Sequence, residues 1–133
     1  MHMGKIAEYQ FIIDASKREL LPSIPIHDHR GYDLIVHGKN KLHKIQVKST
    51  RHVVKVSSHR KGTPHYRVIT ACGNSQKERY TKDQLDYYAV YIFELNQWFI
   101  IPFHAVTSKN IRIYPSKNDH KFSPYREAWH LLK

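Results

Sequence analysis

The sequence predicts an α/β domain with a mixed β-sheet of about five strands flanked by helices. Three observations predict it. A helix-length amphipathic stretch opens the chain. Apolar runs of strand length then alternate with polar turns, and a Ser-Pro pair opens a second helix-length stretch at the C-terminus. No repeat, linker or low-complexity tract divides the 133 residues, so 1–133 is expected to form a single domain.

The elements follow in order. Gly4 to Leu21 reads as a helix, because Ile6, Tyr9, Ile12 and Ile13 recur at helical spacing and Pro22 and Pro25 end it. His27-Asp28-His29-Arg30-Gly31 is a polar turn, in which a metal-binding reading is declined. Tyr32–His37 is a short strand, Gly38–Lys41 a turn, and Leu42–Thr50 a second strand. The second strand alternates Leu42, Lys44, Gln46 and Lys48 on one face with His43, Ile45 and Val47 on the other. A basic loop, 57–65, precedes a third strand, Tyr66–Cys72, and a further polar, basic segment precedes a short helical turn, Lys82–Asp86, capped by Thr81. Tyr87–Phe93 and Trp98–Pro102 form a hairpin whose long apolar runs imply central, two-sided burial. Phe103–Ser108 is a turn or short helix, and Ile111–Tyr114 an edge strand. Ser123 caps a final helix that runs from Pro124 through Leu132.

Charge narrows the function. Lys and Arg number 22 against 11 acidic residues, a net charge of +11. A field of that sign attracts polyanions, and nucleic acid is the commonest of these. A membrane is the weaker candidate, since no apolar run approaches 18 residues. Apolar residues make up 41% of the chain, which supports a packed core and argues against disorder. The one cysteine, Cys72, has no partner for an internal disulfide and lies in an apolar run. Met1–Lys5 lacks the apolar stretch of a signal peptide, so a cytoplasmic location is expected, with nucleoid or organelle as alternatives.

The chemistry centres on the first hairpin. Asp33 stands at the start of one strand; Gln46 and Lys48 stand two apart on the other and so share a face. A hard cation such as Mg²⁺ takes oxygen ligands. Asp33 offers a carboxylate, and Gln46 and the Val47 backbone carbonyl offer neutral oxygens. Lys48 supplies a charge that orients water and offsets negative charge on a phosphate. Spacing alone equally allows a solvated hairpin with an Asp at its end and a Lys on its wet face.

The order of motifs separates these readings. Gly4-Lys-Ile-Ala-Glu-Tyr9, Gly31-Tyr-Asp-Leu-Ile-Val36, Ile45-Gln-Val-Lys-Ser-Thr50, the stretch 80–91, Trp98-Phe-Ile-Ile-Pro102 and Tyr125-Arg-Glu-Ala-Trp129 together resemble the PD-(D/E)XK nuclease superfamily. Within it, they are most similar to the group I intron homing endonucleases. The resemblance implies a restriction-endonuclease-like core and a metal-dependent, site-specific DNA endonuclease. It implies Mg²⁺ as cofactor, with Mn²⁺ able to substitute, duplex DNA as substrate, and a homo-oligomer, dimer or tetramer, with no membrane partner. Asp33 matches the motif aspartate, Lys48 the motif lysine, and Glu8 the helix-borne glutamate of some branches. Gln46 stands where the superfamily usually has Asp or Glu, a departure that makes Glu8 necessary as the second carboxylate. Catalytic roles thus fall on Glu8, Asp33, Gln46 and Lys48, and metal ligation on Glu8, Asp33, Gln46 and Val47.

Two basic clusters flank the third strand and are expected to grip DNA: Lys55, His59, Arg60, Lys61 and Arg67, then Lys77, Arg79 and Lys82. Tyr80, Tyr87, Tyr88, Tyr91, Trp98 and Trp129 read as core. Two alternatives remain open: a Holliday-junction resolvase or repair nuclease of the same fold, and a DNA-binding module with an inactive site.

Overall fold

The computed structural model describes residues 2–28, 31–51, 63–72 and 77–133. One α-helix, α1 (Met3–Lys17), precedes nine strands: β1 (Leu21–Ser23), β2 (Leu34–His37), β3 (Leu42–Thr50), β4 (Tyr66–Ile69), β5 (Ala71–Cys72), β6 (Glu78–Arg79), β7 (Tyr87–Ile92), β8 (Gln97–Pro102) and β9 (Asn110–Ile113). Five of them form the expected mixed sheet in the order β1-β2-β3-β7-β8. Only β3 and β7 run parallel; the other pairings are antiparallel. The two hairpins, β2–β3 and β7–β8, fall where the turn residues put them.

Helix α1 covers one face of this sheet; of the expected stripe Ile12 packs against the core, but Tyr9 and Ile13 do not. Its buried residues are Ala7, Phe11 and Ala15, four apart and therefore on one side. Tyr9 and Ile13 stay 58% and 49% exposed. The two alanines allow close approach to the sheet, and Phe11 wedges between Trp98 and Trp129 with ring centroids 5.3 Å from each. The helix also stops at Lys17. Glu19 adopts a left-handed φ of 62°, which turns the chain into β1. Pro22 is tolerated there because β1 is an edge strand.

The opposite face packs on a second layer. The expected third strand divides at Thr70 and leaves the main sheet: β4 pairs with β9, and β5 with β6. Tyr66 and Val68 of β4 and Ile111 and Ile113 of β9 are buried with Tyr88, Val90, Phe99 and Ile101 of the main sheet. The expected helix at 82–86 is a plain turn, in which the Thr81 amide donates to Gln84 Oε1 at 2.8 Å.

The C-terminal helix is likewise replaced, by two 3-10 turns, Ser123–Tyr125 and Trp129–Leu132. The residues between them complete the sheet. Arg126 bridges Phe99, the Glu127 amide donates to the Trp98 carbonyl at 2.8 Å, and Glu127 Oε1 accepts from the Trp98 amide at 3.1 Å. Strand β8 is therefore buried on both faces although it lies at the edge of the sheet, since this segment covers its free side. Ser123 is not a helix cap; its hydroxyl donates to the Lys117 carbonyl and accepts from the His120 amide.

Candidate active site

Gly31 sets the entry to the site. Its φ of +128° is a conformation that residues with a Cβ rarely adopt, and a Cβ there would meet the Gln84 carbonyl at 3.2 Å. Two residues later Asp33 stands just before β2. Its amide donates to the Ile45 carbonyl at 2.8 Å, and its Oδ2 accepts from the Val47 amide at 2.8 Å. The carboxylate thus takes up a backbone donor of the central strand and is held against β3.

Alternation along β3 sends Ile45 and Val47 into the core beneath α1 and leaves Gln46 and Lys48 on the other face. Gln46 is 8% exposed, and its Oε1 has no hydrogen-bond partner among the described residues. A buried acceptor left unpaired costs on the order of 1–3 kcal/mol. Lys48 is half-buried. Its Nζ donates to the Ala71 carbonyl at 3.3 Å and to the Tyr80 hydroxyl at 3.2 Å, and lies 5.1 Å from the Tyr80 ring centre.

Glu8, half-buried in the second turn of α1, forms an ion pair with Lys5 at 3.6 Å. It lines a cavity of about 30 Å³ together with Lys5, His27, Asp28, Tyr32 and Asp33. That volume suits a single water or small cation. The turn that read as merely polar therefore contributes Asp28 and His27 to the wall of the carboxylate site. Among the described residues, no three His, Cys, Asp or Glu side chains gather closely enough to hold an ion by themselves. A cation here would depend on amide or backbone oxygens as well.

Burial dominates the electrostatics of the site. Burial pushes Asp33 up from 3.8 to about 6; the Val47 hydrogen bond opposes this, the Glu8 charge adds to it, and Lys48 and Lys5 oppose it. Burial raises Glu8 too, against Lys5 and with a further push from Asp28. Burial lowers Lys48, against the pull of Asp33.

Glu8 and Asp33 share one cavity, Lys48 lies near enough to influence Asp33, and Gln46 adjoins Val47, which holds Asp33. Arg67, Lys77, Arg79 and Lys82 are exposed. Arg79 also donates to the Val106 carbonyl at 2.8 Å, so its guanidinium serves the fold as well. Lys55, His59, Arg60 and Lys61 lie outside the described residues. Sequence reasoning missed three participants: Tyr80, Lys5 and Asp28. Tyr80 is buried, as expected, yet its hydroxyl faces Lys48. Nothing in the polar, basic stretch around it announced that contact.

A mixed five-stranded sheet with an Asp at the mouth of its first hairpin and a Gln-x-Lys on the adjoining strand is the framework of a nuclease. The chain belongs to the PD-(D/E)XK endonuclease family, whose model matches residues 1–132. Among solved structures it is similar to a bacterial homing endonuclease, I-Ssp6803I, at 24% identity over 97% of this chain and 89% of that one, with a TM-score of 0.76. That likeness establishes a shared fold. A comparison with curated protein sequences finds no match.

Proposed function

We propose that this chain is a divalent-cation-dependent endodeoxyribonuclease that cleaves duplex DNA at a preferred sequence, with Mg²⁺ as working ion and Mn²⁺ as substitute. One observation carries the reading. Glu8 and Asp33, both pushed upward by burial, line one small cavity, and the Val47 amide that holds Asp33 stands on β3 between Gln46, whose Oε1 has no hydrogen-bond partner among the described residues, and the half-buried Lys48. Oxygens of this kind suit a hard cation, which would also offset the electrostatic cost of burying Asp33 and Glu8. Asp33, Glu8, Gln46 and the Val47 carbonyl would hold it. When bound, such a cation supplies Lewis-acid charge and lowers the pKa of water.

The remaining steps belong to the side chains. Lys48, as an ammonium, positions the attacking water and offsets charge on the phosphate. Tyr80 and the Ala71 carbonyl fix the Lys48 ammonium. The exposed cations hold the DNA backbone, consistent with a net charge of +11.

The chain acts as one domain carrying one site, so a double-strand break requires two copies. Leu21, Ile24 and Ile26, on and just beyond the edge strand β1, are 60%, 61% and 94% exposed and offer an apolar surface for a second copy, as dimer or tetramer. Among the described residues no helix is long and apolar enough to cross a membrane.

Cleavage of a plasmid library in Mg²⁺, followed by sequencing of the ends, tests the reading. Cuts at a recurring sequence, lost in Asp33→Ala and Lys48→Ala while DNA binding persists, are the expected result. Wild type that leaves duplexes intact with every divalent ion contradicts it; preferential cutting of four-way junctions would redirect it to a resolvase.

A further inference from the structure

We propose that the outward face of the β4–β9 ribbon reads base edges in the major groove of duplex DNA, through Arg67, Ile69, Asn110 and Arg112. The inference rests on the DNA-cleaving reading above and adds to it the surface that selects sequence.

Register and burial define the face. Arg67 lies directly opposite Arg112, and Ile69 opposite Asn110. All four are exposed, while Tyr66, Val68, Ile111 and Ile113 turn inward to the core. This outer face does not help the fold. Like charges set directly opposite on a ribbon are destabilising. No hydrogen bond or ion pair among the described residues engages either guanidinium. Ile69 leaves 52% of its surface in water.

The residue types suit base edges better than phosphates. Arginine pairs bidentately with guanine, asparagine with adenine, and an aliphatic side chain packs on the thymine methyl group. A surface that held phosphates alone would have no use for an exposed Ile69. The dimensions agree: two strands about 5 Å apart, with side chains outward, fit a groove about 12 Å wide.

The ribbon is also tied to the site of chemistry. Thr70 alone separates β4 from β5, whose Ala71 carbonyl receives the Lys48 ammonium at 3.3 Å. At about 3.3 Å per residue, Ile69 lies roughly 7 Å along the strand from Ala71 and Arg67 roughly 13 Å. Duplex DNA rises about 3.4 Å per base pair, so the bases read should lie about two to four pairs from the scissile phosphate.

Selection from a random duplex library by the full chain, with Ca²⁺ replacing Mg²⁺, tests this without relying on cleavage. Wild type should enrich a defined sequence. Arg112→Lys keeps the charge but loses the planar fork. It should lose about five- to a hundredfold of discrimination at one base position while overall affinity stays close to wild type. Asn110→Ala should lose discrimination at another position, whereas Lys82→Ala should weaken all sequences alike. The proposal is overturned if both ribbon variants enrich the wild-type sequence unchanged, or if wild type enriches none. Mg²⁺-dependent nicking of plasmid DNA that Asp33→Ala abolishes would show that the nuclease reading survives such a failure. Sequence selection without nicking would sink the nuclease reading instead and leave the ribbon standing.

Discussion

Helix α1 carries two acidic side chains that reach opposite situations. Asp14 is fully engaged: its Oδ2 accepts from Trp98 Nε1 at 2.9 Å and from Gln10 Nε2 at 3.1 Å. Around it, Arg18 lies 4.5 Å from the Trp129 ring centre and 3.6 Å from Glu127 Oε2, and Glu127 accepts from Trp129 Nε1 at 2.8 Å. Two turns earlier, Glu8 shares a small cavity with Asp33, both pushed upward by burial, with Lys5 3.6 Å from Glu8 on its wall. A polar network with its partners in place holds a fold together. Carboxylates held together against the cost of burial weaken the fold and suit the binding of a cationic ligand.

The sharpest break between the two regions is expected from matched substitutions. Asp33→Asn keeps an acceptor for the Val47 amide but removes the charge. DNA cleavage should fall by about 10²–10⁴-fold in initial-rate assays. Metal-free stability should rise in the same variant. The folded-state pKa of Asp33, about 6, lies above its ordinary 3.8. Its stabilising contribution is therefore complete below about pH 4 and lost as pH rises through 6. At about 1.4 kcal/mol per unit, with allowance for residual solvent access, urea unfolding at pH 8 should show Asp33→Asn about 1–3 kcal/mol more stable than wild type. The difference should vanish near pH 4.

Asp14→Ala should do the reverse. Removing the acceptor strands the buried Trp98 indole N–H and should cost about 2–3 kcal/mol in chemical denaturation. Activity per folded molecule should stay within about twofold of wild type. A variant that folds normally and yet cuts no DNA would merge the two regions and break the comparison.

Gln46 provides a finer test. Gln46→Leu replaces an unpaired amide by an apolar side chain of similar size. Metal-free stability should rise by about 0.5–1.5 kcal/mol, while divalent-cation affinity should fall tenfold or more in calorimetric titration. Tyr80→Phe should give the smallest effect. It frees one acceptor of the Lys48 ammonium, so kcat should fall about three- to tenfold with KM and stability nearly unchanged.

Local elements were readable in the sequence, and long-range ones were not. The β2–β3 and β7–β8 hairpins follow from turn residues between alternating or apolar runs. The parallel β3–β7 pairing does not, because no local signal links Gln46 to Tyr88. The α1 stripe misled because Ile6, Tyr9 and Ile13 look apolar, whereas the smaller Ala7 and Ala15 permit the close contact. The Ser-Pro start at 123–124 promised a helix. The backbone at 126–127 is instead committed to covering β8, a demand that only the assembled sheet creates. For the candidate site, motif order pointed to Asp33 and Lys48, and the neutral Gln46 pointed to Glu8. Tyr80 and Asp28 were hidden because their contacts come from segments distant in sequence.

The proposed function puts a divalent cation on Glu8, Asp33 and Gln46. Calorimetric titration of Mg²⁺ into the DNA-free full chain near pH 6, in two buffers of different ionisation enthalpy, tests it most directly. Asp33 is about half protonated there and must lose its proton to ligate. Saturable binding with release of about half a proton, abolished in Asp33→Asn and intact in Asp14→Asn, is the expected result. Binding without proton release, or binding that survives Asp33→Asn, would contradict it.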